Sequence, residues 1–487
     1  MLRNYRGIIY LATGFVLMNL IGLDRSSIVW VDEVTLNDPA KELAFNGVLR
    51  SSVFAGSDGF DQAYFWQPPA SPLVTALVYK IFGFGIWQTR VPVVLFGGFA
   101  AVALYFVARL LLNDQRPALF SVILFVLNPQ FIHTSRSGRM DAQCLFLAFM
   151  GLLFYLKSEP AKNYYLALAG LCVGLSMLTH PIGIVWALSI GILLLLGPDG
   201  QTIRRTSLFG ASLLLPVSAW LLYAMQAPVY FQSQFLSHMS EHATQGSIIG
   251  RLYEEFAFYG GIYRALPVVL VAYAGGVVWF VFKFRESSRT RTRVLVLFAV
   301  PFLFSAMLMI KGGGSGFNIL HPIAMISVML GAAFSAMLPA QFKFPGNLKE
   351  AAVIIFVILV LCNLVLAGIG GRYISLAYQW NERDYRTVEE PILAHASAGT
   401  RIWGSPEVWY AAVKAGASLR VRGGPNSQTD DFAVTRLKDS VMLLPGFHRI
   451  ESIGKPFPLV FGRFALSPAD YRLVLWESDR RSSSFVH

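Results

Sequence analysis

Along the first 370 positions, apolar residues gather into long runs separated by short polar segments. The runs fall near 7–24, 90–112, 117–132, 140–157, 163–179, 182–197, 206–226, 265–283, 293–310, 318–338 and 350–370. Each approaches the length of helix that crosses a hydrocarbon core of roughly 30 Å. They predict about eleven transmembrane helices. Beyond 370 the pattern changes. "TRIWGS", "SLRVRG", "SVMLLP", "HRIESIG" and "YRLVLWES" alternate like strands, and "DYRTVEEPILAHA" and "PEVWYAAVKAG" read as helices between them. A small α/β domain is expected there.

Composition agrees. Of 487 residues, 55% are hydrophobic and only 14% charged, and the mean hydropathy is +0.54. A soluble globular chain carries about 25% charged residues, so the chain reads as an α-helical polytopic membrane protein. The net charge of +12 does not point to nucleic acid, because Lys and Arg are spread over short loops between apolar runs. They mark the cytoplasmic side instead. Arg109 and Arg116, Lys157 and Lys162, Arg204 and Arg205, "KFRESSRTRTR" at 283–293, and Lys343 and Lys349 all fall on one side if the amino terminus is cytoplasmic. Residues 1–24, with Arg3 and Arg6 ahead of an apolar run and no Ala-x-Ala-like site, predict an uncleaved anchor helix. Cys144, Cys172 and Cys362 lie in predicted spans and imply no disulfide framework.

This topology leaves three long external segments: loops 25–89 and 227–264, and the tail 371–487. In the first, Asp32 and Glu33 sit just past the first span. They are either a solvated helix end or a general base or metal ligand in a part-dry cleft. "NDPAKELAFNG" reads as a short helix with Asp38 as N-cap, Pro39 at its first position and Gly47 at its end. "SPLVTALVYKIFG" reads as an amphipathic helix along the membrane surface.

Two external turns carry unexpected cations. In "HTSRSGRMDAQC", Arg136 and Arg139 precede Asp141, and the arginines either pair with that carboxylate or bind a phosphate. In "KGGGSGFNILHP", Lys311 precedes glycines that lack the P-loop pattern. The loop 227–264 offers His238, Glu241 and His242, without a spacing diagnostic of a metal site.

The order of these features resembles the GT-C glycosyltransferases, in particular the protein O-mannosyltransferases and lipid A aminoarabinose transferases. The resemblance rests on Asp32-Glu33, on "FWQPPASPL", and on the aromatic-x-x-Arg-x-Pro entry to "FGFGIWQTRVPVVLFGG". It rests also on the Arg-x-x-x-x-Asp spacing of Arg136 and Asp141, on "LAGLCVGLSMLTHPIGIV", and on Lys311 to Pro322. His180 stands where the family usually has lysine, and Gln67 where Lys or His is common.

The resemblance implies a GT-C membrane domain over 1–370 and an extracytoplasmic α/β domain over 371–487. It implies inverting sugar transfer from a polyprenyl-phosphate donor to a lipid, glycan or protein acceptor at the outer face of a bacterial inner membrane. Asp32 would be the base, with Glu33 supporting it or holding a metal. Arg136, Arg139 and Lys311 would meet the donor phosphate, and Asp141, His180 and His242 would support the site. No nucleotide site is needed, and a divalent cation is the one candidate cofactor. The competing expectations are a transporter or flippase for a lipid-linked sugar, and a silent scaffold. A transporter places its charges near the midplane, often between repeats, whereas here they cluster at helix mouths.

Overall fold

In the computed structural model the chain is described over residues 5–158, 163–197, 202–237, 267–310, 317–339, 347–437, 444–454 and 471–483, with single residues between 247 and 257 and short strands at 459–461 and 464–466. The helices up to residue 224 are α1 (Arg6–Leu20), α2 (Val31–Asn46), α3 (Ala70–Phe82), α4 (Ile86–Leu112), α5 (Gln115–Val126), α6 (Pro129–Thr134), α7 (Asp141–Lys157), α8 (Asn163–Thr179), α9 (Ile184–Leu195) and α10 (Thr202–Ala224). Among the described residues, five helices are long and apolar enough to cross a membrane: Ile86–Leu112, Thr202–Ala224, Arg289–Ile310, Leu320–Met337 and Leu348–Tyr378.

These helices do not establish the expected count of eleven spans: α1, α5, α8 and α9 are 12–17 residues long, and one apolar run divides into two helices. The run 117–132 is interrupted at Asn128, whose side-chain oxygen accepts from the amides of Gln130 (2.9 Å) and Phe131 (3.3 Å) and starts α6. Pro129, at the first position of that helix, has no amide hydrogen to lose. His180 plays the same part before Pro181, accepting from the Ile182 amide at 3.1 Å.

Between apolar helices, close approach does the work that water-driven burial does elsewhere. Gly170 and Gly174 of α8 face the backbone of α10, and a methyl group at either would collide with Phe209 or Leu213 carbonyl oxygen. α3 lies against α2 with Thr75, Ala76 and Tyr79 buried, while Leu73, Leu77, Ile81 and Phe82 are exposed. That is the amphipathic helix expected from its sequence.

The tail folds as β1 (Arg401–Gly404), β2 (Ser418–Arg420), β3 (Phe432–Arg436), β4 (Phe447–Ile453), β5 (Leu459–Phe461), β6 (Phe464–Leu466) and β7 (Leu473–Ser478). Five strands form one sheet in the order β2-β1-β3-β7-β4. β1 runs parallel to β2 and β3, and β7 runs antiparallel to β3 and β4. Parallel strands need a crossover, and the helix Trp409–Ala415 supplies it between β1 and β2. β3 is absent from the sequence expectation, and part of the expected strand "SVMLLP" (residues 440–443) lies outside the described residues.

One cluster of buried side chains joins this sheet to the segment after α1. Val29, Val34, Val53, Phe54, Phe60 and Tyr64 pack in the same core as Ile402, Trp409, Val434, Tyr471 and Leu475. The expected loop 25–89 is thus largely ordered by the tail, and α2 is pressed between the helical bundle and the sheet.

Candidate active site

α2 starts at Val31, eight residues earlier than the sequence suggests. Trp30 is extended (φ −145°, ψ 170°), and Asp32 and Glu33 fill the first turn, where carboxylates favour the helix dipole. Asp38 is therefore not an N-cap, and Pro39 lies inside the helix; only the end at Gly47, with φ +72°, is as expected. Asp38 is fully buried and staples the following loop to the helix. Its Oδ2 accepts from the amides of Ser52 (2.6 Å) and Val53 (3.1 Å) and from the Ser51 hydroxyl (3.0 Å), and its Oδ1 accepts from the Trp409 indole (3.3 Å).

The two neighbouring carboxylates have opposite surroundings. Glu33 is 0% exposed. Its oxygens accept from Arg90 Nε (2.8 Å) and Nη2 (2.6 Å), and Oε1 also accepts from the Tyr410 hydroxyl (2.9 Å). Arg90 Nη1 donates further to the carbonyls of Leu23 (2.7 Å) and Ser27 (2.8 Å). A bidentate, fully bonded pair of this kind is the condition under which buried charges are tolerated. The reading of the pair as a solvated helix end therefore fails for Glu33.

Asp32 keeps 31% of its side chain exposed. Its Oδ2 accepts from Arg139 Nη1, and its Oδ1 has no hydrogen-bond partner among the described residues. Burial raises its pKa above the ordinary carboxylate value, the Arg139 charge opposes this, and Asp141 adds to it.

Arg139 sits between carboxylates, donating from Nε to Asp141 Oδ2 at 2.8 Å and from Nη1 to Asp32. Its guanidinium lies 3.7 Å above the Phe317 ring, and Trp30 and His133 pack around that ring at 5.8 and 6.0 Å between centroids. Read from sequence as a phosphate ligand, Arg139 is here a bridge from Asp32 to Asp141.

Arg136 differs: it is 2% exposed, Nη2 donates to the Gly22 carbonyl at 3.2 Å, and Nε and Nη1 have no partner among the described residues. The turn that carries both arginines is fixed to α2. The Asn37 side chain donates to the Gly138 carbonyl (2.7 Å), and the Trp30 indole donates to the Ser137 carbonyl (3.3 Å). Gly138 has φ +67°, and a Cβ there would lie 2.8 Å from Glu33 Cγ, so both its conformation and its closeness call for glycine.

His180 belongs to the same neighbourhood, electrostatically coupled to Asp141, as is His321. His321 Nδ1 accepts from the Trp186 indole at 2.8 Å. The structure thus brings together Asp32, Glu33, Arg136, Arg139, Asp141 and His180. Lys311 and His242 lie outside the described residues. Among those residues no three His, Cys, Asp or Glu side chains form a group that could hold a metal ion.

Sequence reasoning used Arg90 only within the aromatic-x-x-Arg-x-Pro entry, without giving it a role, and passed over Trp409 and Tyr410. Arg90 carried a signal, since an ionisable residue opening an apolar helix demands a partner. Nothing near Trp409 or Tyr410 in the sequence marks them.

Residues 66–223 match the family model of dolichyl-phosphate-mannose-protein mannosyltransferases. An uncharacterized protein of Aquifex aeolicus (strain VF5) is 25% identical over 360 residues, which are 70% of this chain and 65% of that protein's length. ArnT from Cupriavidus metallidurans, solved bound to undecaprenyl phosphate, is similar in structure with a TM-score of 0.66 at 16% identity, over 96% of this chain and 97% of that one. The archaeal oligosaccharyltransferase AglB from Archaeoglobus fulgidus, in complex with an inhibitory peptide and a dolichol-phosphate, gives 0.54 at 10% identity, over 89% and 70%. The chain thus shares the fold of ArnT and AglB, and its residues 66–223 match the dolichyl-phosphate-mannose-protein mannosyltransferase family model.

Proposed function

We propose that this protein is an inverting glycosyltransferase that moves a sugar from a polyprenyl-phosphate donor to an acceptor hydroxyl at the outer face of a bacterial inner membrane. The observation that carries this reading is the contrast between the two carboxylates opening α2. Glu33 is spent on Arg90 and Tyr410, whereas Asp32 is part-exposed with one oxygen unpartnered among the described residues.

Asp32 is then the general base. The acceptor oxygen attacks the anomeric carbon, its proton passes to Asp32 Oδ1, and the bond from that carbon to the phosphate oxygen breaks with its electron pair leaving on the phosphate. A raised pKa suits a carboxylate that must gain a proton in the transition state. Arg136 is the better partner for the departing phosphate, since two of its nitrogens have no partner among the described residues while Arg139 is neutralised by Asp32 and Asp141. A fixed cation gains most where charge develops during the reaction. Lys311 is the second proposed phosphate ligand, and His180 and His242 are proposed supports. A divalent cation beside the site remains a proposal drawn from the sequence.

The orientation rests on charge. Arg109, bonded to Tyr5, stands 19 residues along α4 from Arg90, and Arg205 is bonded to Ser158, just past the end of α7 opposite Asp141, as cytoplasmic cations would be. The sheet domain and Asp32 then face outward. The flippase reading is weaker, because Glu33, Arg90, Asp32, Arg139 and Asp141 form ion pairs at helix ends, whereas a transporter places its charges near the midplane.

Mass spectrometry of lipids copurifying with the protein in nanodiscs tests the donor. The expected result is a polyprenyl phosphate or its glycosyl ester with wild type, depleted in Arg136→Ala. Equal recovery from both proteins would remove Arg136 from the phosphate site.

A further inference from the structure

Resting on the transferase reading above, the geometry points to Tyr410, contributed by the C-terminal sheet domain, as a positioning residue for Asp32: its hydroxyl bond to Glu33 fixes the helix turn on which Asp32 stands. Tyr410 is 4% exposed. Its single proton goes to Glu33 Oε1 at 2.9 Å, because an ionised carboxylate only accepts, and Thr89 Oγ1 lies 2.9 Å on its other side. The two Arg90 bonds tie Glu33 to α4 alone. The Tyr410 bond is what ties it to the sheet domain.

The helix bearing Tyr410 is itself fixed. Its ring packs against Phe84 (5.3 Å) and Trp409 (4.8 Å), and the Ala411 amide donates to the Tyr385 hydroxyl at 3.0 Å, which donates to the Glu407 carbonyl at 3.0 Å. Trp409 meanwhile reaches Asp38. The tail therefore grips α2 at two points, Glu33 and Asp38, and Asp32 is the residue adjoining the first. Gly138 packs on the same Glu33 side chain, so the turn carrying Arg136 and Arg139 takes its position from Glu33 as well.

A second contact between the tail and the 48–66 segment avoids Glu33 altogether. The Val421 amide donates to the Val53 carbonyl at 2.9 Å, and Arg422 pairs with Asp58 at 3.2 Å and lies 4.5 Å above the Phe54 ring. It supplies the control. If the tail merely clamps the molecule together, weakening either contact has the same consequence; if Tyr410 positions Asp32, only one does.

The experiment compares full-length wild type, Tyr410→Phe and Arg422→Ala in nanodiscs, reading kcat, donor KM and amide hydrogen exchange. Tyr410→Phe keeps the ring packing. It is expected to lower kcat roughly ten- to a hundredfold at unchanged donor KM, as loss of a hydrogen bond to a charged group implies, and to speed exchange across residues 31–37. Arg422→Ala is expected to speed exchange near residues 53–60 and to hold kcat within about twofold, as surface changes usually do. Wild-type kcat and wild-type exchange at 31–37 in Tyr410→Phe would overturn the inference. So would equal losses of kcat in both variants in step with their melting temperatures. If wild type transfers sugar from no polyprenyl-phosphate donor, the transferase reading falls, and exchange at 31–37 still decides whether Tyr410 holds the turn.

Discussion

At Asp32 three influences compete: burial and Asp141 favour the protonated acid, and Arg139 favours the carboxylate. Burial prevails, so the pKa lies above the ordinary value. The base form is then lost as pH falls through that raised pKa, and the acid limb of the kcat/KM profile is expected above pH 3.8, and absent from Asp32→Glu only if the site rearranges. A limb at or below that value would contradict the assignment. Glu33 supports a different prediction. Glu33→Gln removes one partner of a buried ion pair and strands Arg90, a change that costs about 3–5 kcal/mol, to be read as a lowered unfolding midpoint in detergent. The acidic pair was legible in sequence because carboxylates are scarce in so apolar a chain. Which of the two is available was not legible, because that depends on Arg90, 57 residues away, and Tyr410, 377 residues away.

α2 shows how local signals can mislead at the scale of an element. Asp38-Pro39 has the form of a helix start, yet the helix begins at Val31, since Asp38 finds its partners across the loop at Ser51, Ser52 and Val53. Tertiary bonding overrode the capping preference. The turn at 136–139 is equally dependent on its neighbours. Gly138→Ala would force a side chain into φ +67° and against Glu33, a cost of about 1–3 kcal/mol, with kcat falling because Arg139 and Glu33 shift together. Wild-type stability and rate in that variant would show the turn to be slack. Farther along α2, burial acts against Glu42, but Lys41, Asn46 and Arg50 together hold its pKa down to about 2. A depressed carboxylate stabilises the fold above its ordinary pKa, and that contribution is lost as pH falls toward 2. Glu42→Gln is therefore expected to flatten the decline of stability with acid, measured by thermal shift.

For the whole molecule, the membrane-protein class and the mixed tail were readable from hydrophobic runs and alternation. The number of spans was not, because Asn128 starts a new helix inside the apolar run 117–132 by accepting from the Gln130 and Phe131 amides. Nor was the shared core of Val29, Phe54 and Trp409 readable, since it joins the two ends of the chain. The proposed orientation predicts that Arg422→Cys, in a background lacking Cys144, Cys172 and Cys362, reacts with a membrane-impermeant thiol reagent on intact spheroplasts. Reaction only after lysis would invert the topology and place Asp32 on the cytoplasmic side.

The most direct test of the account is the rate of sugar transfer by Asp32→Asn. With a polyprenyl-phosphate donor that wild type uses, the variant should retain donor binding and lose about 100- to 10,000-fold in kcat, the range attributed to a positioned general base. Wild-type turnover by Asp32→Asn would contradict the central claim and leave the exposed carboxylate of α2 without a catalytic part.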